Sequence, residues 1–193
     1  DAAGNETMAT SMITIRDQTP PSLILKEISV QLNGDGMASI SAADVDDGSS
    51  DACGIAVMSL DKTDFNCVDI GSNAINVTAT DVNGNESQAS VIVNVADPAP
   101  VINTRNITID LDETRDGQGK VSIDLDDVVV SLIDFCGSAN MSLSKKDFSC
   151  ADLGQNEITI TATDEQGNDG TAMATVTVRD VTTPSIQTKN ISD

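Results

Sequence analysis

Apolar and polar residues alternate in short runs that recur along the chain. Residues 26–32 (KEISVQL) and 36–42 (GMASISA) lie on either side of a turn-forming stretch, Asn33-Gly34-Asp35-Gly36, which predicts a hairpin. Residues 55–60 (IAVMSL) read as a third strand. Residues 74–81 (AINVTATD) and 87–95 (SQASVIVNV) flank the tight-turn sequence Asn83-Gly84-Asn85 and predict a second hairpin. A further short strand is expected around Phe65. No stretch sustains a 3.6-residue period. Seven or so strands in roughly 80 residues point to an immunoglobulin-like sandwich, without the core tryptophan of antibody domains.

The pattern repeats. Residues 1–5 (DAAGN), 81–85 (DVNGN) and 164–168 (DEQGN) each precede a Val/Ile/Thr-rich run and a proline-marked junction. Cys53, Phe65 and Cys67 recur as Cys136, Phe148 and Cys150. The expected layout is a closing strand and linker (1–21), one whole repeat (22–100), a second (101–183) and the start of another (184–193). The second repeat differs at residues 112–119, which are four residues longer than Asn33–Gly36 and rich in turn formers, as a surface loop tolerates. The chain therefore reads as all-β: tandem immunoglobulin-like β-sandwiches arranged end to end, a window on a longer array.

Composition narrows the chemistry. The 193 residues hold 31 Asp and Glu, 10 Lys and Arg, no His, Trp or Tyr, and three Phe, for a net charge of −21. Without histidine there is no Ser–His–Asp or Cys–His pair and no histidine-bound zinc. So acidic a chain is a poor partner for nucleic acid, and the scarcity of aromatics removes base-stacking platforms. No run of 18 apolar residues predicts membrane insertion. The acids lie in turns that recur in every repeat, so no catalytic pair stands out, and the expectation is that the protein is not an enzyme.

Four cysteines allow three pairings. The repeat favours the local ones, Cys53 with Cys67 and Cys136 with Cys150, because each unit must then close its own bridge. Bridges of this kind place the protein in an oxidising compartment outside the cytosol. The acids suggest a metal. In an immunoglobulin-like sandwich, the loop holding Asp44, Asp46 and Asp51 lies at the same end as Asp81 and the incoming linker with Asp17. Converging carboxylates repel unless a cation neutralises them, and Ca2+ takes oxygens from such groups. The second repeat offers Asp97, Asp127, Asp134 and Asp164, a weaker set because Val129 and Val130 replace Asp46 and Asp47. Solvated turn residues would give the same composition. Six N-x-S/T triplets, at Asn5, Asn76, Asn85, Asn106, Asn140 and Asn190, are candidate sugar acceptors, with Asn76 and Asn106 expected inside strands.

The succession DGSSDACGI (47–55), FNC (65–67) and TATDVNGN (78–85), closing on a strand and a proline linker, resembles hyalin repeats and bacterial immunoglobulin-like repeats of the Bacteroidota type. The resemblance covers essentially the whole chain. It implies an extracellular or cell-surface, disulfide-bearing β-sandwich in an adhesive or fibrous protein. The second repeat departs at residues 128–133 (VVVSLI), an apolar run expected to pack on the preceding unit or a partner chain. Three roles follow as expectations. The first is a structural segment of a rod, stalk or filament whose partners are neighbouring repeats. The second is a Ca2+-dependent adhesive module meeting a surface glycan or another cell. The third is a fibre subunit joined to the next chain by strand addition.

Overall fold

The computed structural model describes residues 2–111, 119–184 and 186. The chain divides into two compact units, Asp1–Val30 with Ala38–Ala96, and Gln31–Met37 with Asp97–Asp193. The longer turn expected at 112–119 lies outside the described residues except for Gly119, as do most of residues 184–193, with Asn190 among them.

In the first repeat the strands are β1 (Ile28–Gln31), β2 (Met37–Ser39), β3 (Ile55–Leu60), β4 (Asp64–Asn66), β5 (Gly71–Asp81) and β6 (Glu86–Ala96). A helical turn, Ala42–Val45, follows β2, and a 3-10 turn, Cys67–Asp69, follows β4. Four strands form one sheet in the order β1-β6-β5-β3, and β2 pairs with β4 in another. The first expected hairpin is therefore corrected. Its tip is closed by the Asn33 N–H on the Met37 carbonyl, but the two arms join different sheets. The strand after the tip is only three residues long. Ser41 then starts the helical turn with a capping box, in which the Asp44 carboxylate accepts from the Ser41 N–H and hydroxyl. The second hairpin forms as the Asn-Gly-Asn turn requires, with β5 antiparallel to β6 over the full ladder. Gly84 takes a φ of 89°, and Gly167 takes 87° in the equivalent turn, conformations that side chains resist.

The second unit carries β7 (Val101–Thr104), β8 (Ile107–Leu111), β9 (Lys120–Ser122), β10 (Val129–Ile133), β11 (Asn140–Leu143), β12 (Asp147–Ser149), β13 (Gly154–Thr163) and β14 (Asp169–Asp180). The main sheet runs β11-β13-β14-β8, with β14 antiparallel to β13 and parallel to β8. β9 pairs with β12. The apolar run at 128–133 is neither a loop nor free. Val128 closes a helical turn, Leu125–Val128, and β10 pairs with β7 inside the unit. At the matching place, the first unit makes only two isolated bridges, Ser22 to Ser50 and Leu25 to Asp46. β-branched residues favour a ladder where Asp46 and Asp47 favour a turn. Asn76 lies within β5, but Asn106 sits between β7 and β8, where its side-chain Oδ1 accepts the Thr175 N–H.

Each core is small and aliphatic. Ile75, Val77, Ala79, Val91, Val93 and Val95 point inward in the first unit, at alternate positions of β5 and β6. Ile158, Ile160, Ala162, Ala174, Val176 and Val178 do so in the second. Phe65 and Phe148 are the largest fully buried side chains. Each lies under a lysine, Lys62 or Lys145, whose ammonium also pairs with Asp69 or Asp152. Among the described residues no helix is long and apolar enough to cross a membrane.

The local disulfides are corrected too. Cys53 and Cys150 carry free, exposed thiols, so neither of the local bridges forms. Register explains why Cys53 cannot reach Cys67. Cys53 lies just before Ile55, which faces Asp81 at one end of β5, and Cys67 lies just before Gly71 at the other end. Ten residues of strand separate those ends by about 33 Å, while a disulfide needs Cα atoms within about 7 Å.

Candidate metal centre

The inward alternation of β5 runs Val77, Ala79 and then Asp81, which is 2% exposed. That of β13 runs Ile160, Ala162 and then Asp164, 6% exposed. A carboxylate thus stands where the next core residue would be, at the end of each central strand. The following turn secures it. Asp81 Oδ1 accepts the N–H groups of Asn83 and Asn85, each at 2.8 Å, and Oδ2 accepts the Asn85 amide at 2.7 Å. Burial pushes the Asp81 carboxyl up, but the Asn85 side chain and the turn N–H groups outweigh it and hold it below the ordinary value. Asp164 has the same set from Gln166 and Asn168, at 2.9, 2.7 and 2.8 Å, and is lowered in the same way against its burial.

The two asparagines also reach the linker. Asn85 Nδ2 donates to the Asp17 carbonyl and Asn168 Nδ2 to the Asp97 carbonyl, both at 3.3 Å. The next linker residues are held as well. The Ser87 hydroxyl donates to the Pro21 carbonyl. In the second unit the Pro100 carbonyl oxygen lies 1.8 Å from where a Cβ on Gly170 would stand, so only glycine fits there.

In the first unit the carboxylates of Asp17, Asp51 and Asp81 come within 4.8 Å of one another, and they are the only such trio among the described residues. Asp17 Oδ1 accepts the Thr19 N–H, the main cause of its lowered pKa, while its Oδ2 is buried without a hydrogen bond. Asp51 Oδ1 accepts from the N–H groups of Cys53 and Gly54. The free Cys53 thiol lies beside Asp17, and that carboxylate pushes the thiol pKa up. Asp44 and Asp46, expected at this site, are engaged elsewhere. Asp44 caps the helical turn through Ser41, and Asp46 accepts from the Ser49 N–H at 2.9 Å.

The second unit gathers Asp97, Asp134 and Asp164 at the equivalent positions, with a different balance. Asp97 is 6% exposed, and neither of its carboxylate oxygens has a hydrogen-bond partner. Burial, then the charges of Asp164 and Asp134, push its pKa up. Asp134 Oδ1 accepts the Cys136 N–H at 3.3 Å, and Oδ2 is buried and unpaired. Asp127 is not in this group, since its carboxylate caps a helical turn by accepting the Asp124 N–H. Sequence reasoning missed Glu165. Glu165 Oε2 and Asp134 Oδ2 both lie beside Gly137, and Glu165 Oε1 accepts the Ser138 hydroxyl at 3.1 Å. The residue after the turn aspartate in the first unit is Val82.

No protein-family model matches the chain, and no curated protein matches it. Solved structures do. Protocadherin gamma C5 EC1-3 aligns over 83% of this chain and 68% of its own length, at 13% identity and a TM-score of 0.34. Mouse clustered PcdhgC3 EC1-3 aligns over 84% and 69%, at 13% identity and a TM-score of 0.31. Drosophila N-cadherin EC1-4 aligns over 83% and 50%, at 13% identity and a TM-score of 0.34, so this chain spans half the length of that fragment.

Proposed function

We propose that the chain is a segment of an extracellular rod, stalk or filament built from tandem immunoglobulin-like repeats of hyalin-repeat type, with a spacing role and no chemistry of its own. One observation carries this reading. Each unit grips its linker aspartate and proline with the same parts, an asparagine amide on the Asp17 or Asp97 carbonyl and a small residue, Ser87 or Gly170, against the proline carbonyl. A device reproduced in both copies belongs to how repeats follow one another, not to a single ligand site. The charge of −21 suits a rod that stays dispersed.

Small-angle scattering tests it. A central strand of 11 residues is about 37 Å long, so two repeats in line make a rod of about 75 Å with a radius of gyration near 22 Å. A value near 16 Å, that of one compact domain of this length, refutes the rod.

A second reading, inter-chain strand addition, has its own support. Ile13 and Ile15 are 83% and 92% exposed, while their repeat equivalents Val93, Val95, Val176 and Val178 are buried. Residues 6–16 thus carry, exposed, the apolar alternation that is buried in the closing strands of the two units. Scattering mass that grows with concentration would favour this reading over the covalent rod.

A further inference from the structure

In the first unit three aspartates from separate segments meet within 4.8 Å, and in the second the buried Asp97 feels the charges of Asp164 and Asp134. The ion pairs among the described residues are Lys62–Asp69, Lys145–Asp152 and Arg179–Asp110, and none involves Asp17, Asp51, Asp81, Asp97, Asp134 or Asp164. The backbone and amide donors around Asp81 and Asp164 fix their direction but occupy only part of their lone pairs.

Two marks of a site are present, buried unpaired oxygens in both units, most fully in the second, and close spacing in the first. The first is the buried, unpaired oxygens. Asp97 is 94% buried, with both carboxylate oxygens lacking any partner, beside Asp134 Oδ2 in the same condition. A carboxylate in that state is costly unless a positive charge meets it. The second is spacing. Oxygens on opposite sides of a Ca2+ ion, each 2.3–2.6 Å from it, stand roughly 5 Å apart, and the first unit's trio falls within 4.8 Å.

We propose that each unit binds one Ca2+, held in the first by Asp17, Asp51 and Asp81 and in the second by Asp97, Asp134 and Asp164. The donors are all hard oxygens, as Ca2+ prefers, and the three segments that bring them can adjust to its irregular coordination. Mg2+ demands a tight octahedron at about 2.0–2.1 Å, which three carboxylates on separate loops do not offer. The site ties the linker aspartate to the strand-end aspartate, so the ion holds the same linker residue that Asn85 or Asn168 already holds within its unit. A globule would hold the ions as well as a rod would, so this proposal and the rod reading can fail separately.

The test is a calorimetric titration of the EDTA-stripped, dialysed full chain with CaCl2 to about 10 mM, beyond the 10⁻⁴–10⁻³ M range of weak extracellular sites. Two ions per chain are expected. Asp97→Asn and Asp134→Ala should each abolish one site or weaken it at least tenfold, and Asp51→Ala should do so for the other. Far-UV circular dichroism confirms that each variant is folded. If Asp97→Asn unfolds, Asp134→Ala, on a surface loop, gives the same reading. Absence of uptake, two unaltered sites in Asp134→Ala, or equal uptake of Mg2+ overturns the proposal.

Discussion

Truncating Phe148 to alanine should cost the second unit a large part of its stability. Phe148 is 1% exposed and packs in a cluster with Ile102, Leu111, Ile123, Val128, Ile158, Ile160 and Val176. Most of those neighbours sit on strands fixed by their ladders, and Val128 is held in the helical turn, so they cannot close over the space. A buried Phe→Ala change typically costs about 3–5 kcal/mol. A unit of roughly 95 residues at about 0.05–0.15 kcal/mol per residue has only about 5–14 kcal/mol to lose. At about 4–8 °C per kcal/mol for a domain of this size, the midpoint falls by roughly 12–40 °C. With no Trp or Tyr to report by fluorescence, scanning calorimetry is the suitable assay. Phe65→Ala should produce a shift of similar size, since Phe65 is also 1% exposed and lies under a matching lysine. A fall of less than about 5 °C in either variant would mean that these aliphatic cores do not rest on their single aromatic.

Two further outcomes are expected. The Lys62 ammonium and then the Asn66 N–H hold the Asp69 carboxyl below its ordinary value of 3.8, and Lys145 and Ser149 do the same for Asp152. A depressed folded value means that the stabilisation is present above the unfolded pKa and is lost as pH falls through the folded one. Asp152→Asn should therefore flatten the acid limb of stability below about pH 4 in urea melts, and an unchanged limb would refute the pairing. A thiol reagent applied to the folded, unreduced chain should label two cysteines, and Cys53→Ser and Cys150→Ser should each remove one label. No label at all would refute the two free thiols.

Much of the fold was legible because its signals are local. The alternation at 74–95 with Asn83-Gly84-Asn85 predicted β5, β6 and their turn, and the repeat predicted β13 and β14. What failed depended on where the chain goes next. The arms at 26–32 and 36–42 alternate as a hairpin should, but alternation does not say which sheet a strand joins. The two helical turns are too short to show a period, yet Ser41-x-x-Asp44 and Asp124-x-x-Asp127 are readable caps, and they explain why Asp44 and Asp127 left the metal site. The repeat gives each unit two cysteines but says nothing of the distance between them, and the stretch from Cys53 to Cys67 holds a six-residue strand. Asp17, Asp51 and Asp81 were picked out by the expected convergence of loops. The inward phase Val77-x-Ala79-x-Asp81 was a sharper signal for Asp81 and went unread.

The parallel pairing of β8 with β14 has a mechanical consequence. The two strands lie side by side and point the same way, one near the entrance of the second unit and the other at its exit. Tension applied through the two ends pulls them past each other along the ladder. Its hydrogen bonds then share the load and must yield together, not peel open singly. Under load the second unit would draw its strength from that shear geometry more than from the depth of its small interior.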